Sequence, residues 1–308
     1  MRCCLIGGSG FIGSHVAPLL AASGRELTVV GRSAAPLRKL PPGTKYVSGD
    51  YGDPLLLQQL MSQTDEVIDL AYATVPQSSF ADPIFDIQGN LPPSVSMLRC
   101  AADAGVRRVV LISSGGTVYG VARSLPVNEE HPTHPISPYG ITKLTIEKYG
   151  MMFHQLAGLP VIVVRPGNAF GPGQLPDKGQ GFVATAIARV LSNREVTLFG
   201  REGTVRDYIH VTDLARGIIS ALERGQPGRC YNIGTGIGKS NLDVLKTIET
   251  LAFAHGRRIE LQISEQRGFD VPANILDSTK LTEVSGWTPL VPFEEGIEDT
   301  WNFLASAR

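Results

Sequence analysis

The first half of the chain alternates short, uniformly apolar runs with longer segments in which apolar residues return every three or four positions. The runs fall at residues 3–6, 27–30, 46–47, 67–70, 108–113 and 161–164, and the helical patterns at about 11–23, 54–62, 90–104 and 138–157. Runs that are apolar throughout, not alternating, are what strands show when helices cover both faces of their sheet. The order therefore predicts an α/β fold, a doubly wound parallel sheet over residues 1–166. Beyond Pro166 the chain loosens into Gly/Pro-rich segments at 167–173 and 179–181, followed by short elements and a last helix near 293–305. A smaller α/β region over 167–308 is expected there, with the chain crossing back to the first region.

The turn after the first strand sharpens this picture. Gly7-Gly8-Ser9-Gly10-Phe11-Ile12-Gly13 places Gly7, Gly10 and Gly13 between a strand and an amphipathic helix. Glycine there allows a tight turn, close backbone approach to a pyrophosphate and contact between helix and strand, while helix N-terminal amides face the phosphates. The region reads as a Rossmann dinucleotide-binding domain, with Phe11 and Ile12 beside the cofactor. After the second strand an acid would hold the ribose 2′-hydroxyl of NAD, but the chain has Gly31-Arg32-Ser33. Arg32 and Ser33 suit a 2′-phosphate, so the cofactor is NAD or NADP with a lean to NADP; Arg32 stacked beside NAD is the other reading.

Composition narrows the partners. The 308 residues carry 28 Lys+Arg against 29 Asp+Glu, a net charge of −1, so no overall field draws nucleic acid or an anionic membrane. No apolar stretch reaches membrane-spanning length, and the N-terminal run is too short for a signal peptide. Cys3, Cys4, Cys100 and Cys230 show neither CxxC nor metal spacing with His, so no metal site or disulfide framework is expected, and the location expected is a reducing cytoplasm.

The candidate chemistry centres on Ser137-Pro138-Tyr139-Gly140-Ile141-Thr142-Lys143, where a cap-type Ser precedes Pro at a first helical position. Tyr139 and Lys143 stand four apart on one helix face, and a nearby ammonium is expected to lower the phenol and make it a proton acceptor and donor. Upstream, Ser113-Ser114-Gly115-Gly116-Thr117-Val118-Tyr119-Gly120 follows the fifth strand at the ligand-binding edge of the sheet.

With these residues in view, the chain resembles, essentially end to end, the short-chain dehydrogenase/reductase superfamily in its extended branch of nucleotide-sugar epimerases, dehydratases and 4-ketoreductases, most nearly the UDP-hexose 4-epimerases. The resemblance covers the glycine loop, Asp50, Asn90, the Ser/Thr segment, Tyr139 with Lys143, and later motifs. It implies that Asp50, Asn90, Lys143 and Pro166 contact the cofactor. It also implies that Asn168, Arg206 and Arg267 hold a nucleotide-diphosphate sugar. Two arginines suit a diphosphate because a planar fork matches its oxygens. A homodimer through the helices near 90–104 and 138–157 is implied as well.

The chain departs from the family at two places. Gly115 stands where a Ser or Thr usually bridges Tyr and sugar, and Thr117 is the proposed substitute; otherwise Tyr139 acts alone or through water. Gly31-Arg32 replaces the usual acid. The expected function is a C4 epimerase working through a transient 4-keto sugar, with an NADPH-dependent 4-ketoreductase of a 4-keto-6-deoxy sugar as the alternative and a non-catalytic NADP-binding scaffold as a distant one. A dehydratase is disfavoured, since Gly116 and Thr117 occupy the places of its Asp-Glu pair. Gly234-Thr235-Gly236-Ile237-Gly238-Lys239-Ser240 imitates a P-loop, but Ile233 sits where the first glycine is required, so it reads as a turn leading into a helix. His210 reads as a structural hydrogen-bonder and Asp213 as a helix cap.

Overall fold

A computed structural model describes residues 1–177, 181–265 and 271–306. The first half runs β1 (Arg2–Ile6), α1 (Gly13–Ala22), β2 (Glu26–Gly31), β3 (Lys45–Ser48), α2 (Pro54–Met61), β4 (Glu66–Asp69), α3 (Pro76–Ala81), α4 (Pro83–Asp103), β5 (Arg108–Ile112), α5 (Pro138–Ala157) and β6 (Val161–Pro166). The second half runs β7 (Asn168–Phe170), α6 (Phe182–Leu191), β8 (Val196–Phe199), β9 (Val205–His210), α7 (Val211–Arg224), β10 (Arg229–Ile233), β11 (Gly238–Ser240), α8 (Asn241–Ala254), β12 (Leu261–Ser264), β13 (Ala273–Asn274), α9 (Thr279–Ser285) and α10 (Phe293–Ser306).

Seven parallel strands form the central sheet in the order β10-β6-β5-β4-β1-β2-β3. Successive residues of one strand serve opposite faces: Cys3 and Leu5 enter the core under α1, α7 and α9, whereas Cys4 and Ile6 enter the core under α2, α4 and α5. Both faces are thus buried, which is why the strands read as unbroken apolar runs. This is the Rossmann architecture expected from the sequence. The strand order reverses between β1 and β4, and ligands bind at the strand carboxyl ends beside such a switch.

After β6 the chain leaves the sheet through β7, then returns with α7 and β10 before leaving again. Around β9 a second sheet gathers β7, β11 and β13, and a two-stranded β8-β12 sheet stands apart. Its core packs α6, α8 and α10 around Phe170, Tyr208 and Trp301. His15 on α1 bonds the Pro172 carbonyl at 2.9 Å, and Arg38 donates to the Gly173 carbonyl, so contacts from both halves close one cleft.

Two elements differ from the sequence reading. Helix α4 starts at Pro83, seven residues before the predicted 90, because the Asp82 carboxylate caps it at Phe85 N and Pro83 takes the first helical position, where a missing N–H costs nothing. Pro92 and Pro93 lie inside that helix and conceal its continuity. Helix α3 has only six residues, too few to show a period.

Candidate active site

A cleft of about 820 Å³ opens at the carboxyl end of the sheet. Its floor begins with the glycine loop. Gly7 has φ +75°, donates to Val30 O at 2.9 Å and accepts from Gly10 N at 3.0 Å; a Cβ on Gly13 would stand 2.5 Å from Gly8 Cα. The loop therefore tolerates no side chain at 13 and holds backbone where Gly7, Gly10, Phe11, Ile12 and Gly13 line the cleft. No side chain caps α1 at Ile12, so its N-terminus remains open to an anion. A cradle of this form fits a dinucleotide pyrophosphate.

Tyr139 and Lys143 line the opposite wall from α5, whose start is set by Ser137, its Oγ accepting from Gly140 N at 3.1 Å. Gly140 allows α5 to approach the Ser/Thr segment, since a Cβ there would stand 3.0 Å from Thr117 O. Lys143 Nζ donates to Ile112 O at 2.7 Å. Burial pulls this lysine down to about 8, against the opposing pull of Asp69, Glu147 and Asp86. The expectation that Lys143 lowers the phenol is corrected here: burial, then the Asp86 charge, push Tyr139 up. Lys143 Nζ lies 5.8 Å from the Tyr139 ring centroid, and its charge is turned to Tyr72 at 3.9 Å.

The Ser/Thr segment resolves the departure at Gly115. A Cβ on Gly115 would meet Leu276 Cδ1 at 2.5 Å and Arg165 O at 3.0 Å, so a side chain at this position would force Leu276 to shift. Ser114 and Thr117 line the cleft instead, and the buried Thr117 hydroxyl has no hydrogen-bond partner among the described residues. An orphaned buried hydroxyl is costly unless something else satisfies it.

The second half contributes Asn168 from β7 and Arg206 from β9, both lining the cleft with Pro166. Asn168 pairs with Tyr208 in the ladder, which fixes its place relative to Arg206. Arg206 Nη1 donates to Val271 O at 2.6 Å and Val205 O at 2.9 Å. Arg267 lies outside the described residues.

Four sequence candidates do not line the cleft. Arg32 is exposed at the end of β2, and Ser33 receives the Tyr46 hydroxyl on its carbonyl at 2.8 Å. Asp50 is exposed and closes its own turn by accepting from Gly52 N at 2.9 Å. Asn90 is fully buried in α4; it accepts from Ala73 N at 2.7 Å and donates to Asp86 O at 2.7 Å, so its amide serves the protein backbone. Arg38 and Tyr72 line the cleft and were missed, Arg38 because no motif marks it and Tyr72 because it follows an apolar run without a motif of its own.

The decoys resolve as structure. Asp207, fully buried, accepts from Thr235, Gly236 N and Leu276 N and so organises the imitation P-loop, while Ser240 and Asp243 form the capping box of α8. His210 Nδ1 bonds Thr212 at 2.8 Å. Asp213 sits within the first turn of α7, not at its cap, and accepts from Leu290 N and Val291 N at 2.8 Å each. Among the described residues no His, Cys, Asp or Glu cluster is placed to hold a metal, and no helix is long and apolar enough to cross a membrane.

Comparison with known proteins agrees with this geometry. The NAD dependent epimerase/dehydratase family profile matches residues 3–234. The chain is 34% identical to UDP-glucose 4-epimerase of Mycolicibacterium smegmatis, over 99% of this chain and 98% of that one. It superposes with TM-score 0.94 and 33% identity on a UDP-glucose 4-epimerase with UDP-glucose from Thermotoga maritima, covering 100% and 99% of the two chains. The Thermus thermophilus UDP-glucose 4-epimerase complex with NAD gives TM-score 0.93 and 33% identity over 100% of both. A glycine cradle, a Tyr-Lys helix and an Asn-Arg wall around one cleft, in a chain so matched along its length, make this protein a member of the NAD-dependent epimerase/dehydratase family, in the extended branch of the short-chain dehydrogenases/reductases.

Proposed function

We propose that the protein is a nucleotide-sugar C4 epimerase of the UDP-hexose type. The observation that carries this reading is the meeting in one cleft of the dinucleotide cradle, the Tyr139–Lys143 pair with Thr117, and the Asn168–Arg206 wall. Tyr139 takes the proton of the sugar 4-hydroxyl and returns it, Thr117 hydrogen-bonds the same oxygen, and Lys143 holds a positive charge beside the pair, 5.8 Å from the Tyr139 ring centroid. Arg206 and Asn168 grip the diphosphate and leave the hexose free to present either face. A dinucleotide held by Gly7, Gly10, Phe11, Ile12 and Gly13 would supply a hydride acceptor and donor for C4, which makes a transient 4-keto sugar the intermediate of the proposed reaction. General acid–base help of this kind contributes roughly 10²–10⁴-fold. The test is incubation with UDP-glucose, UDP-N-acetylglucosamine and their galacto epimers without added cofactor. Interconversion supports the reading, and none with any of the four overturns it; Tyr139→Phe is the matched control.

A second reading, an NADPH-dependent 4-ketoreductase, is favoured by the end of β2. A Cβ on Gly31 would stand 2.8 Å from the Tyr46 hydroxyl, so the acid that serves a ribose 2′-hydroxyl is both missing and sterically replaced. Arg32 beside it is exposed and makes no ion pair among the described residues, which leaves it available to a 2′-phosphate. Mass spectrometry of co-purified dinucleotide, with binding of NADP against NAD to Arg32→Ala, separates the two cofactors. Stoichiometric NADPH consumption on a 4-keto sugar is the signature of the reductase.

Homodimerisation is part of the same proposal. Helices α4 and α5 pack together and leave Ile84, Phe85, Ile87, Ile141, Met152 and Leu156 exposed. Sedimentation as a dimer, lost in Phe85→Glu or Ile141→Glu, is the expected result. The four cysteines are free, which suits the reducing cytoplasm proposed for this enzyme.

A further inference from the structure

Lys143 carries the most exacting charge in the cleft. It is buried, and three carboxylates surround it: Asp69 at the end of β4, Asp86 on α4 and Glu147 one turn further along α5. None of them forms an ion pair with Nζ within 4.0 Å among the described residues, because each is engaged elsewhere. Asp86 accepts from Thr74 and from Thr142. Glu147 accepts from Ser113 and from Arg165, and Asp69 accepts from Ala71 N at 3.0 Å. The ammonium instead touches the Ile112 carbonyl and the face of Tyr72, whose centroid is 3.9 Å away. The Tyr72 ring also meets the Tyr139 ring at 4.9 Å between centroids, with planes at 68°.

The placement of Tyr72 is built from both sides. The preceding residue is held by Ala71 N to Asp69, and the following one by Ala73 N to Asn90 Oδ1 at 2.7 Å. Next along, Thr74 is tied to Asp86. The short segment after β4 is thus tied on both sides of Tyr72, and the buried Asn90 supplies one of the ties.

We propose that Tyr72 is a positioning residue of this active site: the electron-rich face of its ring seats the Lys143 ammonium, and its edge-type contact with Tyr139 fixes the proton-transferring phenol beside it. The inference deepens the reading in which Tyr139 and Lys143 form the proton-transfer pair. Its physical basis is that a desolvated ammonium over an aromatic face is stabilised by the ring quadrupole. Burial alone disfavours the charged lysine, and the ring offsets part of that cost where no carboxylate is in contact.

The ring's charge distribution, not its shape, is what must be tested. Lys143 is titrated by NMR of its side chain in full-length protein bearing Tyr72→Phe, Tyr72→Leu, or phenylalanines of increasing fluorination at position 72. Phenylalanine keeps the quadrupole and is expected to leave the Lys143 midpoint in place. Leucine is expected to lower it by roughly 0.5–1.5 pH units, and fluorination to lower it stepwise. Fluorination barely changes shape, so this series stands even if the leucine variant folds poorly. A midpoint constant along the series overturns the proposal. Sugar conversion is followed in parallel, with kcat falling along the series while KM stays fixed. Absence of conversion in the wild-type chain would sink the epimerase reading and leave the titration to decide the role of Tyr72 by itself.

Discussion

Lys143 donates from Nζ to the backbone carbonyl of Ile112 at 2.7 Å, tying the working end of α5 to the last residue of β5. One bond thus joins the helix that carries Tyr139 to the strand that leads into Thr117. Replacing Lys143 by Met keeps the buried stem and removes the charge. Because burial already pulls this lysine down to about 8, the protein is expected to lose no thermal stability, while turnover falls about 10²-fold or more. In the wild-type chain activity should decline as pH rises through about 8, where the ammonium is lost. A pH–rate profile beside a melting curve checks both.

Thr117→Val is nearly isosteric and deletes the buried hydroxyl that lacks a partner among the described residues. Stability is expected to hold or rise, since an unsatisfied polar group disappears. Turnover is expected to fall roughly 10-fold or more, the value of a hydrogen bond of about 1–3 kcal/mol to the reacting oxygen. Thr117→Ser should recover most of it. Wild-type turnover in the valine variant would show that Tyr139 reaches the sugar without this hydroxyl.

Arg206→Leu tests the diphosphate wall. A charge-assisted hydrogen bond is worth about 1.5–3 kcal/mol, so UDP should bind roughly 10–100-fold more weakly by calorimetry. KM is expected to rise far more than kcat falls, because the diphosphate is gripped alike in ground and transition states. An unchanged affinity for UDP would make the role of Arg206 structural, through bonds such as those to the Val205 and Val271 carbonyls.

The sequence made the frame of this molecule legible because its rules are local. Strands covered on both faces wrote themselves as unbroken apolar runs, Gly13 is demanded by a backbone 2.5 Å from any added Cβ, and Ser137-Pro138 marked the start of α5 at the observed residue. What stayed hidden depends on distance in space. Gly115 reads as a missing hydroxyl until Leu276, 161 positions later, is seen 2.5 Å from where its Cβ would stand. The backbone bonds of Asn90 to Ala73 and Asp86 likewise join residues that nothing in the sequence pairs. Tyr72 carries no pattern at all, since an aromatic just after an apolar strand looks like core until Lys143 is found over its face.

Behind the cleft, Arg165 and Glu147 form a buried pair at 2.6 Å that joins β6 to α5, with Ser113 and Tyr119 completing its hydrogen bonds. Glu147→Gln strands the arginine in the core. Breaking one side of such a pair typically costs about 3–5 kcal/mol, so a marked loss in denaturation midpoint is expected. The double variant Glu147→Leu with Arg165→Met should recover much of that stability, since two apolar groups leave no charge unpaired. Equal losses in the single and double variants would show that shape, not charge balance, governs the site.

Asp69 couples stability to activity through pH. It lies at the end of β4, only 6% exposed, and burial pushes its carboxyl up from 3.8 to about 6 against the opposing effects of Lys143 and Ala71 N. A folded value above the unfolded one means that folding favours the protonated form. The cost of ionising Asp69 is therefore absent below about pH 4, grows from there to about pH 6 and is complete above it. Asp69→Asn should be no more stable than the wild-type chain at pH 4 and more stable at pH 7, by roughly 3 kcal/mol at about 1.36 kcal/mol per pH unit. The amide oxygen can still accept from Ala71 N, so the segment bearing Tyr72 keeps its place. Lys143, however, loses one of the charges that raise it, and its deprotonation should move below about 8. The variant is thus expected to be harder to unfold at pH 7 and to lose activity at a lower alkaline pH. Chemical denaturation from pH 4 to 7 with a pH–rate profile reads both, and a stability difference constant over that range would mean that the Asp69 carboxyl titrates alike in the folded and unfolded chain.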